Sequence, residues 1–303
     1  MGLTPEQAID SINQAYGRHA GRRALHAKGI LCTGTFTATP EAARFSRAAH
    51  MQGNVTAATF RFSNGSGDPD APDWAPDTRG CAVKLYLADG SRTDIVAISS
   101  PRFPTGTPEG FIELVEAQGA GRAGAWKLPI FFARHPEAIR VLPVIAPTLL
   151  APPSYAVIAY YGIHAFTWLN DEGVERHVRY TLRPLAAAPR LAPWQAKRRG
   201  SDYLQQEIAD RLERGPVRFT LELQIASPGD PIDDPNAGWP RDRRRVDAGS
   251  FEITGLETER ETGGDVLVFD PARVTDGVAL TPDPVLQFRP RAYSESVARR
   301  TGG

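Results

Sequence analysis

The chain has 303 residues, 41% hydrophobic and 23% charged, enough to bury a sizeable core in one large domain or two ordinary ones. Its 35 basic residues balance 35 acidic ones, so no global field favours nucleic acid or an anionic membrane. Two cysteines, Cys32 and Cys81, exclude a disulfide framework and a cysteine zinc site, and no stretch approaches the about 18 apolar residues of a membrane helix.

A helix is predicted at the start. Thr4 caps it, Pro5 sits in the first turn, Gln7 completes a capping box, and Ile9, Ile12 and Tyr16 share one face. The opening "MGLTPEQAID" has no basic region followed by an apolar run, so no signal peptide is expected. Glu6 stands where a myristoylation signal needs Ser or Thr. With two reduced thiols, the expectation is a cytoplasmic protein. Next comes "RALHAKG", which sets Arg23, His26 and Lys28 at close spacing ahead of a strand-like run. Such donors suit an anionic group, and a histidine among them suits proton movement.

Strands are predicted at 30–39, 58–64, 81–87 and 94–100, the second and third flanking the Pro/Asp/Gly loop "GSGDPDAPDWAPDTRG". Helical patterns occupy 107–118 and roughly 133–149. Further strands are predicted at 165–170, 176–184, 217–226 and 248–257, with a helix at 201–215. The alternation is cleanest in "VRFTLELQIA", where Val217, Phe219, Leu221, Leu223 and Ile225 face one way. The segment 227–245 reads as a long polar loop whose arginine run is a solvated face or a subunit contact. Eight strands with inserted helices predict an α+β fold, a closed antiparallel barrel decorated by helices, in a single domain over 1–303.

Three motifs in order then resemble the catalase superfamily. "RALHAKG" resembles its distal-side motif, "FRFSNGSGDPDAPDWAPDTRGCAVKLY" the segment that continues the barrel, and "FRPRAYSESVARR" the segment that supplies the axial tyrosine. "YYGIHAFTWLNDEG" and "FTLELQIA" fit the family between them. The chain stops shortly after Tyr293, so it looks most like the small catalase-related peroxidases, or mini-catalases, which lack the wrapping segment and C-terminal domain of full catalases.

The resemblance implies haem b with iron on Tyr293, the phenolate stabilised by Arg289 four residues before it. It implies His26 as the proton shuttle, with Ser63 bonded to its other nitrogen. Arg23, Arg61 and Arg300 take the family's propionate-arginine positions, Arg300 rather than the adjacent Arg299. Phe103 and Phe111 are expected as pocket walls. The other histidines, His19, His50, His135, His164 and His177, lack the motif and are expected to be structural. One departure stands out: in "DIVAISSPRF", Ser99 is expected where the family carries a distal asparagine, with one donor where an amide has two.

The implied function is a peroxidase reducing organic hydroperoxides and hydrogen peroxide through a ferryl intermediate, with weak catalase activity. An unidentified electron donor is implied, and a homodimer by analogy. Two rivals remain at this level: a lipid hydroperoxide rearranging enzyme of the allene oxide synthase kind, and a non-catalytic haem-binding protein.

Overall fold

The computed structural model describes residues 2–119, 121, 124, 126–258 and 267–301. Helix α1 (Pro5–Tyr16) begins with the predicted capping box: Thr4 Oγ1 accepts from the Gln7 amide at 3.3 Å, and Gln7 Oε1 accepts from the Thr4 amide at 3.0 Å. The strands then follow as β1 (Gly29–Ala38), β2 (Val55–Asn64), β3 (Arg79–Tyr86) and β4 (Arg92–Ile98), each antiparallel to the next. Helices α2 (Pro108–Gly119), α3 (Lys127–Arg134) and α4 (Pro136–Leu149) intervene before the second run of strands. The helix predicted over roughly 133–149 is therefore two, broken at His135, because Pro136 disfavours helical backbone in the residue before it.

Strands β5 (Tyr160–Tyr161), β6 (Phe166–Leu169) and β7 (Glu175–Pro184) come next, then α5 (Pro193–Lys197), α6 (Tyr203–Arg214), β8 (Val217–Ile225), β9 (Arg245–Leu256), β10 (Val278–Leu280) and α7 (Pro284–Arg300). Pairing of β7 with β8 closes a ring of eight antiparallel strands, β1-β2-β3-β4-β5-β7-β8-β9. The number of staves agrees with expectation, but one identity differs. The predicted strand at 165–170 lies outside the ring, on a branch from β7 that ends in β10. The eighth stave is β5, only two residues long and too short for any alternating pattern to reveal it.

Alternation sorts side chains between the barrel interior and its outer face. On β2, Phe60 and Phe62 enter the interior core, where Phe62 stacks on Tyr155 at 5.4 Å between centroids. On β8, Val217, Phe219, Leu221 and Leu223 enter the same core. Each large apolar side chain so buried contributes roughly 1.5–3 kcal/mol. The alternate residues of β2, β3 and β4 face outward and are covered by α1, α2 and α7, and that covered face holds the site.

Candidate active site

A cavity of about 240 Å³ lies between this outer wall of the barrel and the three helices. Arg61 and Ser63 reach it from β2, because the residues between and beside them point into the core. His26 enters from the loop between α1 and β1, and Tyr293 from α7. Arg23, Arg289, Arg300, Phe103 and Phe111 line the same cavity. Side chains from opposite ends of the sequence thus meet, as the motifs predicted.

His26 is held in an uncommon conformation. Its φ is +54°, the left-handed region, which among the described residues no other non-glycine residue adopts. The strain is held by neighbours: the His26 amide donates to the Gly65 carbonyl at 3.1 Å, and Nδ1 lies 3.0 Å from Ser63 Oγ. The ring rests against Gly80 of β3. A methyl group there would come within 2.7 Å of Ser63 Oγ and 3.0 Å of His26 Nδ1, so only glycine leaves room for this pair. Burial, then the guanidiniums of Arg61, Arg289 and Arg23, push the His26 pKa down to about 3. The imidazole therefore stands neutral near pH 7, able to accept a proton at Nε2 while Ser63 fixes Nδ1.

Tyr293 is gripped from its own helix. Arg289, one turn earlier, donates to the phenol oxygen from Nη2 at 2.6 Å and from Nε at 3.0 Å. Two cationic donors on one oxygen solvate negative charge there. Behind Arg289 lies a residue whose part the sequence did not reveal. His164 lies with Nε2 3.0 Å from Arg289 Nη1 and Nδ1 2.6 Å from Asp283 Oδ2. Since the guanidinium can only donate, Nε2 is the acceptor, and Nδ1–H donates to the carboxylate. The other Asp283 oxygen caps α7 by accepting from the Val285 and Leu286 amides at 2.8 and 3.1 Å. His164, expected to be a bland structural histidine, therefore orients the arginine beneath the phenol. Only its neighbours "YYGIHAF" hinted at this, because the contact joins residues far apart in sequence.

At the cavity edge, Arg23 and Arg300 converge on the Leu267 carbonyl at 2.7 and 3.5 Å. Arg61 lies across Gly29, where any side chain would collide with its guanidinium. Arg300 rather than Arg299 lines this cavity; Arg299 turns to Asp10, Glu295 and the Glu6 carbonyl, tying α7 to α1. Phe103 and Phe111 pack against each other at 4.9 Å between centroids.

Two expected members are elsewhere. Lys28, one of the donors in "RALHAKG", is buried away from the cavity and pairs with Asp73 at 2.9 Å and Asp202 at 2.7 Å. Its Nζ also donates to the Ala71 and Ser201 carbonyls, a purely structural clamp. Ser99 does not line the cavity either. Its hydroxyl accepts from the Arg79 amide at 3.0 Å. From this segment Val96, Ala97, Ile98 and Phe103 line the cavity, with Ala82 on the adjacent strand. The register is shifted by one from the sequence reading, and an apolar side chain holds the place expected for Ser99.

Four guanidiniums, one imidazole, one phenol and the hydroxyls of Ser63 and Ser296 converge on a slot whose remaining wall is apolar. This donor set fits haem: a flat apolar ring, anionic substituents at its edge, and a metal that takes an anionic oxygen. The glycines at 29 and 80 supply the clearance that such close packing needs.

Comparison with known proteins agrees with this geometry. The chain is 47% identical to a catalase-related peroxidase of Mycolicibacterium paratuberculosis, over 99% of this chain and 96% of that protein. It is 31% identical to a catalase-related peroxidase of Synechococcus elongatus, over 100% of this chain and 90% of the relative. Among solved structures, a bacterial catalase superposes with a TM-score of 0.83 at 24% identity, over 94% of this chain and 58% of that one, and supports the fold. The family profile described as Catalase runs from residue 3 to residue 303, so every strand of the barrel and both walls of the cavity fall within it: the chain belongs to the catalase family.

Proposed function

We propose that this protein is a haem b peroxidase that reduces organic hydroperoxides and hydrogen peroxide with electrons from an external donor, and that releases oxygen from hydrogen peroxide only weakly. Membership of the catalase family makes it an oxidoreductase acting on peroxide. The observation that carries the finer reading is the make-up of the wall around His26. One neutral imidazole, held by Ser63, shares that wall with Ile98, Val96 and Ala82.

In this reading Tyr293 holds the iron and Arg289 donates two hydrogen bonds to the phenol oxygen. Arg23, Arg61 and Arg300 pair with the haem carboxylates, and Phe103 and Phe111 pack beside the ring. Haem supplies, when bound, the iron at which the O–O bond is cleaved. His26 takes the proton from one peroxide oxygen at Nε2 and returns it to the departing oxygen. Ser63 keeps the ring in one orientation through Nδ1. Oxygen release requires a second hydrogen peroxide, held while it gives up two hydrogens. Ile98 offers it no hydrogen bond, whereas an external donor needs none. The same apolar wall favours the carbon chain of an organic hydroperoxide.

The test is an absorbance spectrum of the purified protein, followed by parallel measurement of donor oxidation with an alkyl hydroperoxide and of oxygen release with hydrogen peroxide. Haem absorption, reduction of the hydroperoxide to its alcohol and slow oxygen release are expected. Oxygen release that outruns donor oxidation overturns the proposal. A fatty-acid hydroperoxide converted to an epoxide assigns the site to rearrangement instead.

A further inference from the structure

Helix α4 is apolar around almost its whole circumference. Its sequence, PEAIRVLPVIAPTL, carries only Glu137 and Arg140 as charges. A helix of that kind is normally enclosed, yet here only Ala138, Val141 and Ile145 are buried. Ile139 is 49% exposed, and Leu142, Val144 and Leu150 are exposed beside it. The end of α4 abuts the segment that carries α5: Arg190 donates to the Leu150 carbonyl at 2.8 Å and Arg199 to the Pro153 carbonyl at 3.1 Å. There Trp194 is 61% exposed.

Charge is distributed unevenly over the same region. Residues 126–158 hold three Lys or Arg and residues 185–200 hold four, against Glu137, which is bonded to His135. Arg134 pairs with Glu113 of α2 at 3.8 Å and Arg190 is half-buried, so Lys127, Arg140, Lys197, Arg198 and Arg199 are the exposed excess. The chain as a whole is neutral, so this excess is local. Two of the cations are posed on aromatic rings, Lys197 at 5.6 Å from the Trp74 centroid and Arg198 at 5.2 Å from that of Trp194.

We propose that α4 and the α5 segment form a docking surface for an anionic lipid bilayer, to which the protein binds peripherally. Aliphatic side chains for the acyl boundary, a tryptophan at the interface and a cluster of cations for phosphate headgroups are the three requirements of such a face. A second copy of the chain fits less well. An isologous contact would set the same cations against each other across the two-fold axis. The inference is independent of the haem reading, because no residue of this face lines the cavity.

The test is co-sedimentation of the purified protein with vesicles of phosphatidylcholine alone, and with phosphatidylcholine mixed with phosphatidylglycerol. Binding to the mixed vesicles, little binding to the neutral ones and release by raised salt are expected. The triple variant Lys197→Glu, Arg198→Glu, Arg199→Glu should lower partitioning by about tenfold or more. Ile139→Ser with Leu142→Ser should weaken it independently. All five positions are exposed, and unchanged circular dichroism shows that the variants remain folded. A protein that stays in the supernatant with both vesicle types overturns the proposal. So does a dimer on gel filtration that Leu142→Asp converts to monomer, which gives the face to a second copy.

Discussion

At residue scale the site turns on one position, 98. The motif "DIVAISSPRF" leads one to expect Ser99 in the distal place, whereas the structure turns Ser99 to the Arg79 amide and Ile98 to the cavity. β4 ends at Ile98, and Ser99 lies just past it, where its hydroxyl is taken up by the Arg79 amide. An amide at 98 would give a second peroxide a donor and an acceptor. Ile98→Asn should therefore raise oxygen release from hydrogen peroxide about tenfold, roughly 1.4 kcal/mol of transition-state stabilisation, with little gain in donor oxidation. Ile98→Val is the control and should change neither. The ratio of the two rates, taken on an oxygen electrode and by donor absorbance, decides it. Burying an amide in this apolar wall should also cost roughly 1–3 kcal/mol of stability, visible as a lower Tm.

At the scale of elements, α7 both walls the cavity and carries Tyr293, the proposed iron ligand. Its cap, Asp283, is also the base of the path through His164 and Arg289 to Tyr293. The two duties are separable. Asp283→Ala removes the cap, worth about 1 kcal/mol, and leaves His164 Nδ1–H buried without an acceptor, at about 1–3 kcal/mol more. Asp283→Asn keeps an oxygen for the cap but presents an N–H to His164. The imidazole must then accept at Nδ1 and carry its proton on Nε2, facing a guanidinium that also donates. The Ala variant should melt well below the parent. The Asn variant keeps the cap but sets two buried donors face to face, so it should melt between the parent and the Ala variant and show an altered haem absorbance, because Arg289 loses its rear anchor. Equal spectra for the Asn variant and the parent would remove His164 from any positioning role.

Over the whole molecule, acid stability is set by histidines buried neutral. His50 is buried beside Phe36, and its Nδ1 finds no hydrogen-bond partner among the described residues. Burial pushes its pKa down to about 4, and burial, opposed by the Asp283 bond, also lowers that of His164. Above about pH 6.5 these rings are neutral in both folded and unfolded chains, and stability is at its full value. Below it the unfolded chain takes up protons that the folded chain refuses, so stability falls by up to about 1.4 kcal/mol per pH unit for each ring until the folded pKa is reached. Asp77 and Asp94, whose pKa values burial raises, act in the opposite sense. His50→Phe isolates one contribution: between pH 6.5 and pH 5 it should spare about 2 kcal/mol of the loss in urea unfolding. An unchanged slope would exclude His50 as a source. The same scale shows what the sequence made legible. Strands with clean alternation, such as β8, are legible because the pattern is local, and the four-residue spacing of Arg289 and Tyr293 puts both on one helix face, where the structure pairs them. The two-residue β5, the burial of Lys28 and the link from His164 to Asp283 depend on what tertiary packing brings alongside, and no local pattern encodes that.

The strained imidazole stands near the beginning of the chain and the phenol near its end, with the whole barrel between them. In the proposed reading the proton shuttle and the iron ligand therefore face one slot only after all the intervening barrel strands have formed. Capture of the proposed prosthetic group then depends on the docking of α7 against the barrel wall, which joins the two distant segments into one cavity.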